Sequence, residues 1–499
     1  MIGMILINAI SMLLGFVRDT SIVYKLGANS VSDTFLFTIN LPTVIFSALG
    51  WVISTTFIPV YTDLKCNYSE KEANKFANNF LKVITLFSII VLFLMEIFNK
   101  QIVRILAPGF IGERFQMASD IVPLILPAII CFGITYCFVG ILNSYKKMMW
   151  TSAIGIPVNL FIIIGILFVY PRHGIKGAVL TALFGSIMQF VILILPLRET
   201  SYRYNLGLNL RDKYLLEAFR MIGPMIIGVM AQQINSLFLG MIASTLEVGS
   251  TTTLNLALKV IYSLYNSFIF IAIAFIFPYL SESVAKNKIE EFNSTIHEGL
   301  KLILVLTLPM TVLTIFFDKE IITILFGYGN FSKANINNTA AALVFFSLSF
   351  IFMAARDLLN RAFYAYKDTK TPTINSVISI LVNIVLGVVL ARFLSVNGLG
   401  IAMSSSMFVS ALLLLKDINK KSRLFKNKKH YVGPITKYFA VSLALYLFLF
   451  IMGKVIYSWF NVYVYTIILG ILGVVFYLIC LYFIGFNYKK YINMLKKKK

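Results

Sequence analysis

Charge is scarce in this sequence of 499 residues: charged side chains make up 13%, whereas 59% of the residues are hydrophobic. Soluble domains carry about 25% charged and roughly 45–50% apolar residues, so this composition argues against a soluble globular protein. The 44 Phe and 25 Tyr argue equally against a disordered chain, because disordered chains are poor in aromatic residues. At about 20 apolar residues for each span, the chain is long enough for more than a dozen transmembrane helices.

Cysteine and histidine are equally sparse. The four cysteines form no CxxC pair and no metal-ligand spacing. Cys131 and Cys137 share one apolar segment, which favours core packing over a disulfide bond. The three histidines lie in or beside polar stretches, so we expect no buried metal ligand and no histidine proton relay.

Apolar runs separated by polar breaks predict fourteen membrane-spanning helices in an all-α polytopic protein. Their approximate bounds are 3–25, 31–60, 76–98, 118–144, 151–170, 175–197, 218–245, 251–280, 292–317, 337–365, 372–392, 398–415, 433–453 and 460–486. If the N-terminus is inside, the inside loops carry 27 Lys and Arg residues and the outside loops carry 9. Because Lys and Arg concentrate in cytoplasmic loops, both termini are predicted to be cytoplasmic. Membrane orientation thus explains the net charge of +23 without a nucleic-acid partner.

The chain also repeats itself at an offset of about 220 residues. The matched pairs, with their offsets, are Asn143 with Asn360 (217), Asn159 with Asn383 (224) and Pro59 with Pro278 (219). The repeat predicts that helices 1–6 and helices 7–12 are two copies of one unit. Because six is an even number, the two copies run in parallel and are related by an axis along the membrane normal.

This repeat predicts four segments of the chain. They are a first lobe at 1–197, a cytoplasmic linker at 198–217, a second lobe at 218–417, and helices 13 and 14 with a basic cytoplasmic tail at 418–499. Two parallel six-helix halves are typical of transporters. In such transporters the substrate path lies between the halves, and alternating access rocks one half against the other.

Charged residues inside the predicted spans are costly and therefore mark candidate functional positions. Arg18 and Asp19 lie in helix 1, with Arg18 about 12 Å from its outer end, and Lys259 lies at a similar depth in helix 8. Asp33 opens helix 2, which is the counterpart of helix 8. These residues are expected to face one central cavity from both halves. The alternative is a structural ion pair in which Asp19 or Asp33 compensates Arg18.

Helix 10 carries three further charges, Arg356, Asp357 and Arg361. The two arginines lie about 16 Å and 9 Å from its cytoplasmic end, and local pairing of Arg356 with Asp357 is the alternative to a substrate role. Cations outnumber carboxylates among the deep charges of the whole chain. This balance favours a substrate that carries phosphate, which arginine binds bidentately, over a cationic drug.

Five sequence motifs carry a family resemblance. They are LLGFVRDTSIVYKLGANSVSDTFLFTINLP at 13–42, LAPGF at 106–110, ILNSYKKMMWTSAIGIPVNL at 141–160, LFGYGNFS at 325–332 and LLNRAFYAYKDTKTP at 358–372. Together they resemble the MurJ (MviN) lipid II flippase family of the multidrug/oligosaccharidyl-lipid/polysaccharide (MOP) exporter superfamily. The resemblance extends over essentially all of helices 1–12.

The resemblance implies two six-helix lobes in a V shape plus two C-terminal helices. It also implies export of lipid II, the undecaprenyl-pyrophosphate-linked peptidoglycan precursor, across the bacterial cytoplasmic membrane. Arg18, Asp19 and Asp33 match essential charges of the family's cavity, and Lys259 stands where the family has an arginine. We expect no cofactor and no catalytic or metal site, and a monomer surrounded by membrane lipids. The chain lacks a Walker motif, so the membrane potential or an ion gradient is the expected energy source.

Two departures from the family leave the cargo open. Met12 and Phe46 stand where the family tends to have arginine, so the cavity has fewer cations. Either Lys25, Arg356 or Arg361 compensates, or the cargo is another polyprenyl-linked oligosaccharide. A cation-coupled drug antiporter of the same superfamily would need a cavity dominated by carboxylates. A membrane enzyme would need a positioned base or a metal, for which the sequence offers no candidate.

Overall fold

The chain is helical throughout the part that the computed structural model describes, which is residues 2–52, 56–205, 207, 209, 212–424, 429–456 and 460–486. No strand occurs in these ranges. Nine helical stretches within them are long and apolar enough to cross a membrane, and a bent pair of helices makes a tenth. These observations confirm an all-α, multi-pass membrane protein.

Two compact units divide the chain. The first comprises Met1–Thr252 and Tyr328–Ser332, and the second comprises Thr253–Gly327 and Lys333–Lys499. The helices of the first unit are α1 (Ile2–Leu26), α2 (Ser30–Val52), α3 (Ile58–Asn67), α4 (Glu70–Ile97), α5 (Asn99–Leu106), α6 (Glu113–Ile125), α7 (Ala128–Ser144), α8 (Met148–Ser152), α9 (Gly155–Ile164), α10 (Tyr170–Arg198) and α11 (Lys213–Ser244).

Helix α12 (Ser250–Leu264) begins in the first unit and continues in the second. The remaining helices are α13 (Phe270–Ala285), α14 (Ile289–Phe316), α15 (Asp318–Phe326), α16 (Lys333–Ser347), α17 (Ser349–Ala365), α18 (Lys370–Ser422), α19 (Lys429–Ile456) and α20 (Val462–Phe483). Single π-helical turns follow α9 and α12, at Gly165–Val169 and Tyr265–Ile269. Such turns are rare and frequently mark functional positions.

Local backbone features account for the breaks between helices. Helices α6 and α7 are bent by 42° relative to each other, next to Pro127, which has no N–H to donate. Non-helical backbone angles interrupt α10 at Gly174, with φ 63°, and α18 at Ser395, with φ 51°. Both interruptions coincide with sequence-predicted breaks, the first between helices 5 and 6 and the second between helices 11 and 12.

Helix lengths follow the offset of the sequence repeat. Helices α4 and α14 are both 28 residues long and begin 219 residues apart, at Glu70 and Ile289. Helices α7 and α17 are both 17 residues long and begin 221 residues apart, at Ala128 and Ser349. The superposition of the two predicted lobes, and the four-segment division of the chain, stay predictions.

The linker that follows α10 is hydrogen-bonded along one face of α4. The amide of Asn74 donates to the carbonyl oxygen of Ser201 at 2.7 Å, and that of Asn78 donates to the carbonyl oxygen of Arg203 at 2.8 Å. The Tyr202 hydroxyl donates to Asn78 Oδ1 at 2.9 Å. Asparagines inside a helix usually face solvent or compete with helical hydrogen bonds. In α4 they hold a neighbouring segment in place instead.

Candidate functional site

Arg18 and Asp19 form an ion pair on α1. The Arg18 Nε and NH2 atoms lie 2.8 Å and 2.7 Å from Asp19 Oδ1. The Asp19 side chain is 7% exposed, whereas that of Arg18 is 21% exposed. A compensated guanidinium with part of its surface accessible can exchange one anionic partner for another. Met12, which precedes this pair on the same helix, is an exposed apolar side chain.

Asp33 makes contacts that its sequence position does not predict. Its fully buried carboxylate accepts hydrogen bonds from Gly249 N at 2.7 Å, Thr252 N at 2.8 Å and Thr252 Oγ1 at 2.7 Å. Arg114 NH2 lies 3.0 Å from Asp33 Oδ2. The carboxylate thus satisfies backbone N–H groups at the start of α12, which have no partner within the helix itself.

Arg114 is the partner of Asp33, a pairing that the sequence analysis does not predict. The charge pattern of the sequence predicts Arg114 in an outside loop and Asp33 at the outer end of helix 2. Because both residues are predicted on the outer side of the membrane, the sequence allows them to pair. In the structure the Arg114 side chain is 12% exposed, and its guanidinium carbon lies 4.4 Å from the centre of the Phe110 ring.

In the second unit Arg356 pairs with its sequence neighbour Asp357, as one of the two alternatives proposed. Arg356 Nε and NH2 lie 3.0 Å and 2.8 Å from Asp357 Oδ1, and NH1 contacts the Met407 sulfur at 3.0 Å. The Tyr265 hydroxyl donates to Asp357 Oδ2 at 2.6 Å. Tyr265 opens a π-helical turn and was not anticipated, because nothing in the local sequence links it to helix α17.

The remaining predicted cations of the second unit have different surroundings. Arg361 lies on α17 with its guanidinium carbon 5.1 Å from the Phe270 ring centre and 5.8 Å from that of Phe277. These distances are typical of cation–π contacts. Lys259 is half-buried on α12, six residues before Tyr265. The structure therefore pairs Arg18 with Asp19 and Arg356 with Asp357, and it places Asp33 with Arg114.

Within the described ranges, no group of three His, Cys, Asp or Glu side chains could hold a metal ion. Within the long apolar helices, Arg18–Asp19 and Arg356–Asp357 form ion pairs, and Arg361 lies over two aromatic rings.

Comparison with known proteins identifies the family. The family model described as "Lipid II flippase MurJ" matches residues 22–478. The probable lipid II flippase MurJ of Borreliella burgdorferi is 28% identical over 421 residues, which cover 82% of this chain and 81% of that protein. The probable lipid II flippase MurJ of Thermotoga maritima is 26% identical over 409 residues, covering 81% of this chain and 82% of that protein.

Two solved structures have the same fold. A lipid II flippase MurJ in an inward closed conformation superposes with a TM-score of 0.82 at 23% identity, covering 96% of this chain and 98% of that one. An inward-facing multidrug resistance MATE transporter of the MOP superfamily gives a TM-score of 0.71 at 14% identity, covering 83% and 96%. The match of the family model over most of the sequence shows that this chain belongs to the MurJ family of lipid II flippases.

Proposed function

We propose that this chain is a flippase that exports lipid II across the bacterial cytoplasmic membrane by alternating access. The observation that carries the proposal is the match to the MurJ family over residues 22–478, which includes almost every apolar helix. The protein binds and moves its cargo without covalent chemistry. It acts as a monomer among membrane lipids, with both termini in the cytoplasm.

The proposal includes the fourteen-span arrangement. Two of the nine candidate stretches, Met148–Arg198 and Lys370–Ser422, are 51 and 53 residues long. At 1.5 Å per residue each would measure about 75–80 Å, more than twice the roughly 30 Å of a hydrocarbon core, so each provides two crossings. The nine stretches then give eleven crossings. The bent pair α6–α7, together with α2 and α11, brings the number to fourteen.

Cysteine labelling tests this topology. Cysteines that replace Lys147, Lys213 or Lys426 should react only with a reagent added from the cytoplasmic side, because the three positions lie in predicted inside loops. A cysteine that replaces Val248, which is 54% exposed, should react only from outside. Lys426 lies outside the described residues, so its labelling is an independent check. Outside labelling at position 426 would contradict the fourteen-span arrangement.

We propose that Arg18 and Arg356 bind the pyrophosphate of the cargo. Arg18 and Arg356 are held by Asp19 and Asp357, which compensate their charge until the cargo's phosphate groups take over as partners. The proposed set of six cargo-binding residues comprises Arg18, Asp19, Asp33, Lys259, Arg356 and Arg361. Membrane potential or an ion gradient drives the cycle, and a potential acts with about 2.3 kcal/mol per charge per 100 mV.

Complementation of a bacterium depleted of its own lipid II flippase tests both the function and the role of Lys259. The wild-type chain and Lys259→Arg should support growth, because both keep a cation at this position. Lys259→Ala should fail, because a phosphate-binding charge is lost. Lys437→Ala is the matched control and should support growth, since Lys437 is an exposed side chain on α19. Growth on Lys259→Ala would contradict a cargo-binding role.

Met12 and Phe46 favour a second candidate cargo, another polyprenyl-linked oligosaccharide. Phe46 is 1% exposed and lies 6.5 Å from the Phe87 ring, so an aromatic contact occupies the position where the family tends to have a cation. If the wild-type chain is inserted and folded but does not complement, a flippase for another polyprenyl-linked oligosaccharide becomes the favoured function.

A further inference from the structure

A cavity of about 840 Å³ lies within the first unit, among α4, α7, α10 and the linker that follows α10. Its volume is within the range of about 300–1,000 Å³ that is usual for ligand clefts. Its walls are largely apolar, and the residues that line it include Leu86, Ile89, Ile134, Phe138, Phe190 and Ile194. Its charged lining residues are Lys82, Arg198 and Arg203, and no carboxylate side chain lines it.

The charged and apolar parts of this cavity are separated along its length. On α4, Lys82 precedes the apolar Ile89 by seven residues, which is about 10 Å along a helix. On α10, Arg198 follows the apolar Phe190 by eight residues, about 12 Å. Both cations lie on the side of the cavity where the linker runs, because Lys82 donates to linker carbonyl oxygens and Arg198 is in the last turn of α10. The cavity is amphipathic, with a cationic mouth and an apolar channel.

The cations at the mouth have no carboxylate partner among the contacts of the described residues. Arg203 NH1 donates to the carbonyl oxygens of Thr200 and Tyr202, both at 2.8 Å, and these neutral contacts leave its positive charge in place. Arg198 is exposed at the last turn of α10, and within the described ranges it forms no hydrogen bond or ion pair. The mouth can therefore accept an anion.

Lys82 differs from its counterpart in the repeat in its hydrogen-bond partners. The 219-residue offset aligns Lys82 of α4 with Lys301 of α14, whose ammonium lies 3.1 Å from the carboxylate of Glu298. The same offset aligns Glu298 with Asn79, which is neutral. Lys82 instead donates to carbonyl oxygens of the linker. Asn79 itself donates to Asp212 Oδ2 at 3.3 Å, and the described contacts of Lys82 include no ion pair with a carboxylate.

The two copies also differ in how far their apolar face at this place is covered by other helices. Leu86 and Ile89 align with Val305 and Leu308 of α14, which are only 7% and 4% exposed. In the second unit α19 and α20 cover this face, and the Tyr477 hydroxyl donates to the Val305 carbonyl oxygen at 3.1 Å. In the first unit Leu86 is 48% exposed. A face that protein covers in one copy is left to the membrane in the other.

We propose that this cavity binds one anionic phospholipid, with the phosphate head at Lys82, Arg198 and Arg203 and an acyl chain along α4 and α10. Charge complementarity selects an anionic head, and the apolar channel selects a lipid rather than a free phosphate. The site shares no residue with the proposed cargo-binding set. Its occupancy does not depend on which glycan the protein exports.

Lipid binding to the purified, delipidated full chain in detergent tests this proposal. Native mass spectrometry with phosphatidylglycerol and phosphatidylcholine should show one tightly retained phosphatidylglycerol and weaker retention of phosphatidylcholine. Arg198→Gln should lower the affinity for phosphatidylglycerol about five-fold and leave that for phosphatidylcholine unchanged, because a cation near a lipid head is lost. Arg172→Gln, an exposed arginine near the other end of α10, is the matched control and should match the wild type.

A second variant tests the apolar channel without touching its charges. Ile194→Trp should fill the channel and lower retention of both phospholipids, with the thermal unfolding midpoint close to that of the wild type. Unchanged phosphatidylglycerol affinity in both Arg198→Gln and Ile194→Trp would overturn the proposal. So would displacement of phosphatidylglycerol by an equal concentration of undecaprenyl pyrophosphate, because the cavity would then be a cargo site.

Discussion

Arg18→Ala should abolish export in a flipping assay while the amount of folded protein in the membrane stays at the wild-type level. The Arg18 guanidinium is partly exposed and already forms two short contacts to a carboxylate, a geometry that a pyrophosphate can also occupy. Each charge-assisted hydrogen bond that is lost to the cargo costs about 1.5–3 kcal/mol, so loss of two removes most of the binding. Size-exclusion chromatography of the purified variant measures folding independently of export.

The neighbouring carboxylate provides the decisive control. If Arg18 serves only to compensate Asp19, Arg18→Ala should lower the thermal unfolding midpoint, because it leaves a carboxylate that is 7% exposed without its cation. In that case the double variant Arg18→Ala/Asp19→Ala should recover both stability and export. Export by the double variant would therefore remove Arg18 from the cargo site. Recovery of stability without export would support its role in binding.

The lengths of the apolar runs in the sequence predict the bounds of several membrane helices to within a few residues. Predicted helix 9, at 292–317, corresponds to α14 at Ile289–Phe316, and predicted helix 14, at 460–486, corresponds to α20 at Val462–Phe483. The sequence predicts the start of α4 six residues late, at 76 instead of Glu70, because the polar stretch before 76 indicates a break. Ser69 caps this helix by accepting a hydrogen bond from Glu72 N, and the polar turns continue the helix beyond its apolar part. Polarity marks the end of a membrane span but not the end of a helix.

The candidate site was predictable only where partners are adjacent in the sequence. Charges inside apolar runs are rare enough to identify, and the pairing of Arg356 with Asp357 follows from their being neighbours. Contacts across long separations could not be derived in this way. Asp33 and Arg114 are 81 residues apart, and the contact between Asp357 and a tyrosine hydroxyl spans 92 residues. Such contacts depend on how helices pack, which local periodicity does not specify.

Asp33→Ala should produce the largest loss of stability of any substitution considered for this chain. It removes the acceptor of three hydrogen bonds from Gly249 and Thr252 and leaves the Arg114 guanidinium, 12% exposed, without its carboxylate. Breaking a buried ion pair from one side typically costs about 3–5 kcal/mol. Thermal unfolding of the purified protein in detergent should show a large decrease in the midpoint.

An exposed ion pair and a milder substitution separate the structural role of Asp33 from a role in export. Asp120→Ala removes a carboxylate that is 51% exposed and lies 3.7 Å from Lys176, so it should cost only about 0–1 kcal/mol. Similar midpoints for Asp33→Ala and Asp120→Ala would contradict the structural role.

Asp33→Asn keeps one oxygen acceptor for the turn at Gly249 while removing the charge. If Asp33→Asn stays folded and exports cargo, the carboxylate serves the fold. If it stays folded and export is lost, the negative charge itself is required for transport.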